Sequence, residues 1–435
     1  MKRRKIVLVG AGSASFTQGL VADLILSQRP WQVGLVDIDP AAMQTAEGLV
    51  RRMIQVKGAD LSVEASTDRR DILPGADVVV ATVGVGGRRA WEADVFIPRR
   101  YGIFQPVGDT VMPGGISRAL RMVPAMVDIA RDVVKLCPQA LFINYSNPMT
   151  VNCWAIRKAT GANVIGLCHG VFHVQRELAE FLDLPPAEMT ALAVGVNHFT
   201  WIYDLRWKGE DAWPLVRAKL AQPAGQKIAA ENPFSWSLFA AYGAYPAVND
   251  RHVCEFFPER FPQGRYYGKQ LGVDVFSMER TIKGGDTTYA DMRAQAMGEK
   301  PINEKLFQRA IGEHEQLLDI LASIEGDERR LFSANLPNRR AVSNLPADAI
   351  LELPAIATAR GLFPMQVPDF PDVLAAPIIR KLAANALTVE AALTGERRLF
   401  VEALLVDGAV ADSATAGQLA DDLLSAHRQY LPQFA

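Results

Sequence analysis

The chain has 435 residues, 49% of them hydrophobic and 22% charged, with a formal charge of -2. That length exceeds what one small core needs and predicts two units, or one with a large insertion. The near-neutral balance argues against nucleic acid or a membrane surface as partner, since both require concentrated positive charge, and no apolar run reaches the ~20 residues of a membrane span.

The basic cluster Lys2-Arg3-Arg4-Lys5 is interrupted almost at once by Gly10 and Gly12, so no secretory leader is expected. Strands are predicted at Lys5–Val9, Trp31–Asp37, Leu61–Ala65, Val78–Val83, Leu141–Tyr145 and Val164–Leu167. Helices are predicted between them, at Thr17–Ser27, Ala41–Lys57, Ile116–Cys137 and Met149–Thr160. This alternation is that of an open parallel sheet covered on both faces. After about residue 170 the rhythm changes. Leu192–Val196 and Phe199–Arg206 read as longer antiparallel strands and Leu306–Glu325 as a helix. The proline-rich stretch Pro354–Pro371 reads as irregular, with closing helices at Leu374–Leu393 and Glu396–Val406. The expected organisation is two closely packed domains, 1–170 and 171–435.

The first strand ends in Gly10-Ala11-Gly12-Ser13, and the second ends at Asp37. Glycines there let a backbone approach a pyrophosphate at a helix N-terminus, and the acid suits a ribose diol. The pattern lacks its usual third glycine, yet strand, turn, helix, strand and acid occur in order. Asp37 favours NAD over a 2′-phosphorylated cofactor, because a phosphate there meets like charge. Asn144-Tyr145-Ser146-Asn147-Pro148 falls at the carboxyl end of a strand, where ligands of such sheets lie.

Cys168 ends a predicted strand and His198 follows another, and thiolate with imidazole suits a borderline divalent metal. Taken singly, each reads first as a core residue. The four cysteines, Cys137, Cys153, Cys168 and Cys254, form no C-x-x-C pair, as expected of reduced thiols in a cytoplasm.

Further segments occur in a fixed order along the chain. They are Gly108-Asp109-Thr110-Val111-Met112-Pro113-Gly114-Gly115, Cys168-His169-Gly170, Val196-Asn197-His198 and Tyr245-Pro246-Ala247-Val248-Asn249-Asp250, then Asn344-Leu345-Pro346 and Ala391-Ala392-Leu393-Thr394-Gly395. With the glycine loop and the Asn144–Pro148 segment, the chain resembles the family-four glycoside hydrolases, which cleave glycosides by a redox route using NAD and a divalent metal.

The resemblance implies an NAD-binding Rossmann-like doubly wound sheet plus a C-terminal α+β domain like that of lactate and malate dehydrogenases. It implies Gly10, Gly12, Ser13, Asp37 and Asn144 at NAD, and Cys168 and His198 on manganese. Asn147 and Asp109 fall at the sugar and His169 as general acid. Asp250 is the expected base, with Tyr245 second. The Cys-His-Gly sequence is similar to that of α-glucuronidases and α-galacturonidases, although Val171 stands where uronidases often carry a second histidine. A uronate also needs a cationic partner; Arg251 is the first choice, with Arg265, Arg88 and Arg89 behind it. The implied route is oxidation at C3, loss of the C2 proton, elimination of the aglycone, addition of water and re-reduction. The alternatives are an α-glucosidase or α-galactosidase of the same family, or an NAD-dependent 2-hydroxyacid dehydrogenase. A homodimer or homotetramer is expected.

Overall fold

The computed structural model describes residues 3–308 and 315–435. The first half alternates strand and helix as β1 (Arg4–Val9), α1 (Phe16–Leu26), β2 (Trp31–Val36), α2 (Pro40–Lys57), β3 (Leu61–Ser66), α3 (Arg69–Ile72), β4 (Val78–Ala81), α4 (Gly87–Arg99), α5 (Met112–Leu136), β5 (Leu141–Asn144), α6 (Met149–Thr160) and β6 (Val164–Gly166). The strands β1, β4, β5 and β6 are apolar runs buried on both faces, as a parallel sheet sandwiched by helices demands. In α2, Met43, Ala46, Leu49, Val50 and Met53 bury one stripe, Asp39 accepts the Ala41 N–H, Pro40 opens the helix and Gly58 closes it in the left-handed conformation.

The second half adds α7 (Gly170–Phe181), β7 (Met189–Val196), β8 (Phe199–Trp207), β9 (Glu210–Asp211), α8 (Trp213–Leu220), α9 (Pro223–Ala229), α10 (Pro233–Tyr242), β10 (Tyr245–Ala247) and α11 (Asn249–Val253). A small hairpin, β11 (Arg265–Tyr266) with β12 (Lys269–Gln270), precedes α12 (Met278–Met297) and α13 (Glu315–Gly326). The chain ends with β13 (Leu331–Pro337), β14 (Ile350–Thr358), β15 (Gly361–Pro364), α14 (Asp372–Thr394), α15 (Arg397–Asp407) and α16 (Ser413–His427).

One sheet of 13 strands runs through both halves in the order β10-β8-β7-β14-β13-β6-β5-β4-β1-β2-β3, with β15 on β14 and β9 on β8. The strands β1 to β6 are parallel, and β13 then joins β6 antiparallel at Asn335 opposite Gly166. A second narrow join pairs Glu352 of β14 with Gly195 of β7. The first join depends on glycine, since a Cβ on Gly166 would meet the Asn335 Cβ at 2.8 Å; Gly195 is needed instead for the turn into β8, where a Cβ would meet the Phe199 carbonyl at 2.1 Å.

Three expectations change. Pro354–Pro371 is irregular only in its second part, 365–371, for β14 runs to Thr358 and β15 follows to Pro364. An antiparallel residue directs N–H and C=O to the same edge, and the Pro354 carbonyl accepts from Met365 beyond β15. The missing N–H therefore falls at the seam where β14 leaves β7 and takes β15 as its neighbour. A 3-10 turn over Glu304–Phe307 precedes α13, and the part of the expected 306–325 helix at 309–314 lies outside the described residues. Helix α4 was not expected, because it opens on two glycines and contains Pro98.

Tertiary contacts hold α4 in place. Its fully buried Asp94 accepts from Arg121 Nη1 at 2.8 Å and Ser117 Oγ at 2.9 Å on α5, and lies 2.9 Å from His427 Nε2 at the end of α16. Removing one partner leaves the other charge buried and alone. Asp94→Ala is therefore expected to lower the unfolding free energy by about 3–5 kcal/mol in denaturant titration; a loss under about 1 kcal/mol would show the pair to be dispensable.

Candidate active site

The chain leaves β1 through Gly10, whose φ of +92° suits glycine and whose Cβ, if present, would lie 2.8 Å from the Thr82 backbone. The N–H groups of Gly10 and Ala11 donate to Val36 O, and that of Gly12 donates to Asp37 Oδ2 at 2.8 Å. Asp37 Oδ1 accepts the Asp39 N–H at 3.0 Å. Both oxygens keep a further lone pair. Helix α1 starts beside this turn with no side-chain cap on Ser15, so its positive end is presented there.

Gly10, Gly12, Ser13 and Asp37 line a cavity of about 1300 Å³ that continues to Asp109, Asn147, Cys168, His169, His198 and Arg251. His252 lines it too. Asp109, His198 and His252 place one ligand atom each within 4.8 Å of one another. The two imidazoles lie 4.1 Å apart, centroid to centroid. Asp109 Oδ2 accepts from Asn147 Nδ2 at 3.0 Å. Thr110 Oγ1 lies 2.6 Å from Asp109 Oδ1 and 2.8 Å from His198 Nδ1. A hydroxyl has one proton, and the carboxylate can only accept, so Thr110 donates to Asp109 and accepts from His198 Nδ1–H. That arrangement leaves the Nε2 lone pair of His198 for a ligand.

Burial works against charge on Asp109, yet positive charge on His198, His252 and Arg118 and the Thr110 hydrogen bond hold its carboxyl below the ordinary range. With the imidazoles neutral, Arg118 and Thr110 remain to do so. Burial also keeps both imidazoles neutral, His252 well below its usual value. An anionic carboxylate beside two neutral imidazoles is the protonation state of a metal-binding set.

Not every expected residue reaches the cavity. Cys168 lines it, with Sγ accepting the Gly170 N–H at 3.4 Å, but its sulfur is outside the close cluster of three. Asn144 is fully buried and spends its side chain on the backbone of Ser146. Asp250 is fully buried and is not on the cavity wall: it accepts from Phe234 N–H (2.8 Å), Ser235 N–H (2.7 Å), Ser235 Oγ (2.6 Å) and Tyr266 Oη (2.5 Å). It thereby satisfies the N-terminus of α10. Tyr245 is buried away from the cavity, donates to Asn249 Oδ1 at 3.1 Å, and has its phenol pKa pushed up by burial. Of the arginines considered, Arg88 lines the cavity but is paired with Asp286, Arg89 is paired with the same carboxylate off the wall, and Arg265 is exposed.

The match to known sequences follows this geometry. Residues 5–184 match "Family 4 glycosyl hydrolase", and 193–410 match the C-terminal domain of that family. An alpha-galacturonidase of Bacillus subtilis is 33% identical, with 97% of this chain and 96% of the relative covered. An alpha-glucosidase of Erwinia rhapontici is 31% identical over 98% of each. The chain belongs to glycosyl hydrolase family 4. A solved 6-phospho-alpha-glucosidase from gut microorganisms, in complex with NAD and Mn2+, has the same fold at a TM-score of 0.87 and 18% identity, with both chains fully covered. The malate dehydrogenase of Cryptosporidium parvum shares the architecture at 0.55 and 14% identity, covering 90% of this chain and 99% of its own.

Within this family 4 chain, two cavity residues escaped the sequence reading. His252 sits two positions after Asp250 in a short helix, masked by the attention its neighbour attracts. Arg118, on α5, also lines the cavity, donating from Nε to the Asn147 carbonyl at 3.0 Å. No ion pair to Arg118 or Arg251 occurs among the described residues.

Behind His198, fully buried Asn197 donates from Nδ2 to Glu352 Oε2 at 3.2 Å. Burial raises the Glu352 carboxyl to about 7. A carboxyl raised on folding contributes stability below its unfolded pKa, and that contribution is lost as pH rises through the folded value. Relative to Glu352→Gln, the native chain should lose on the order of 3 kcal/mol between pH 4.5 and 7.5. Parallel stability curves for the two proteins across that range would contradict the assignment.

Proposed function

We propose that this chain hydrolyses α-linked uronides, α-D-galacturonides or α-D-glucuronides, using NAD and a divalent ion such as manganese. The observation that carries this reading is one cavity joining the glycine loop and Asp37 to the Asp109–His198–His252 cluster, with Arg118 and Arg251 on its wall. The 33% identity to an alpha-galacturonidase supports the substrate class.

The residues present suit both groups. Gly10 lets the turn pack against the Thr82 backbone on the cavity wall, and Asp37 keeps lone pairs for a ribose diol. One carboxylate and two imidazoles match a borderline cation, with Cys168 alongside. Asn147 Oδ1 is buried and has no hydrogen-bond partner among the described residues, as expected of an acceptor kept for a sugar hydroxyl.

When bound, NAD supplies a hydride acceptor and donor, and the cation supplies Lewis acidity to a sugar carbonyl. The chain does the rest. Asn147 orients the sugar through a ring hydroxyl. Arg118 and Arg251 take the uronate carboxylate. His169, at the N-terminus of α7, gives a proton to the departing glycosidic oxygen. Because the hydride returns, the net reaction is hydrolysis.

With NAD, Mn2+ and a thiol reductant in deuterated water, p-nitrophenyl α-D-galacturonide or α-D-glucuronide should release p-nitrophenol and a sugar carrying deuterium at C2. Cleavage that survives chelator and NAD removal would overturn the redox route, and steady accumulation of NADH would favour a dehydrogenase. Arg118→Lys and Arg251→Lys should each raise KM for the uronide about tenfold, the worth of one charge-assisted contact, and leave KM for the matching α-galactoside or α-glucoside unchanged. Equal effects on both substrates would remove the carboxylate role.

The hydrogen bonds of Asp250 support an anchoring role. Asp250→Asn should lower the melting temperature while C2 exchange persists in the folded fraction. Loss of C2 exchange with an unchanged melting temperature and NAD affinity would return the base role to Asp250.

A further inference from the structure

The segment 105–111 that carries Asp109 has no regular structure, yet it is held at both ends by buried acids from the second half of the chain. Glu255, three residues beyond His252 and almost fully buried, accepts with Oε1 from the N–H groups of Val107 and Gly108, both at 2.8 Å. On the other side, Asp407 at the end of α15 accepts with Oδ2 from the Met112 N–H at 3.3 Å and from Lys381 Nζ on α14 at 2.8 Å. Lys381 also donates to the Asp407 carbonyl at 3.1 Å, and both residues of this pair are about 1% exposed.

Met112 has a φ of +57°, a conformation a side-chain-bearing residue keeps only where its surroundings impose it. Gln105 secures the same loop internally, accepting from Gly114 N–H at 2.9 Å and donating to Val111 O at 3.2 Å. Only Asp109, Thr110 and Val111 lie between the two grips. Asp109 and Thr110 are the residues that meet His198.

We propose that Glu255 and the Lys381–Asp407 pair are positioning residues, which clamp the backbone on either side of Asp109 so that its carboxylate faces His198 and His252. This rests on the reading of Asp109, His198 and His252 as metal ligands. A buried ion pair is weak support for stability as such, because desolvation offsets its attraction. Holding the Met112 N–H is a use that an apolar pair in the same place lacks. Groups that orient metal ligands change affinity without touching the ion.

Burial raises the Glu255 carboxyl to about 8, so glutamine is close to its prevailing form at neutral pH and serves as the rescuing variant. The test uses the full chain and Mn2+ alone, with free Mn2+ followed by electron paramagnetic resonance. NAD affinity and hydrogen–deuterium exchange of residues 107–112 are measured in parallel. Glu255→Ala, and separately the double variant Lys381→Met with Asp407→Leu, should weaken Mn2+ binding about 10- to 100-fold. NAD affinity should stay within about twofold, and protection should fall in the 107–112 segment. Glu255→Gln should behave as the native chain.

The double variant replaces a buried ion pair by apolar groups, so it keeps the fold testable even where Glu255→Ala does not accumulate. Unchanged Mn2+ affinity with unchanged exchange overturns the clamp. So does a loss of NAD affinity equal to the loss of Mn2+ affinity. A native chain that does not bind Mn2+ overturns the metal reading instead, and the exchange of residues 107–112 in the variants then decides the clamp by itself.

Discussion

Everything at the site depends on β13 lying antiparallel against β6. That contact turns a parallel sheet and a second set of strands into one sheet, and it passes through the pair Asn335–Gly166. With β13 in place, β14 and β7 follow, and the turn between β7 and β8 sets His198 on the same cavity as Cys168, which follows β6. Gly166 permits the first of the two narrow joins, since a side chain there would strike Asn335 on the opposing strand.

The chemistry of the cavity follows from that closeness. Asp37 and the glycine loop belong to the first half, His198, Arg251 and His252 to the second, and Asp109 and Asn147 stand between them. Burial strips water from the imidazoles and keeps them neutral, while Arg118 and Thr110 hold Asp109 in its charged form. Burial outweighs the pull of Asp109 toward charged imidazoles, and a neutral imidazole and an anionic carboxylate are both donors to a cation. A dinucleotide beside such a set allows a hydride to be removed and restored without the sugar leaving its place.

The sequence made much of this legible, for reasons that differ by element. Strands buried on both faces appear as apolar runs, so β1, β4, β5 and β6 were visible to within a residue or two, while β2 and β3 are legible from their spacing between helices. Gly10 and Asp37 were visible because each has a backbone or charge requirement that few other residues meet. Helix α4 was not, since its local signals oppose a helix and its stability comes from Asp94 reaching Arg121 on α5. The run from Pro354 misled because the cost of a proline depends on which edge its nitrogen faces, and that edge is set by β7 and β15. Asp250 shows the limit most clearly. The resemblance implies a base at Asp250, and its carboxylate accepts from the first N–H groups of α10. His252 and Arg118 became visible only when the fold placed them on the wall.

The central claim is that oxidation at the sugar is temporary and that the hydride returns to the carbon it left. An α-D-galacturonide or α-D-glucuronide deuterated at C3 tests it directly, with the label located in the released sugar by mass spectrometry. The account predicts a slowed turnover with deuterium retained at C3 and no accumulation of reduced cofactor. Unslowed turnover, or label found in reduced cofactor at the end of the reaction, would contradict it.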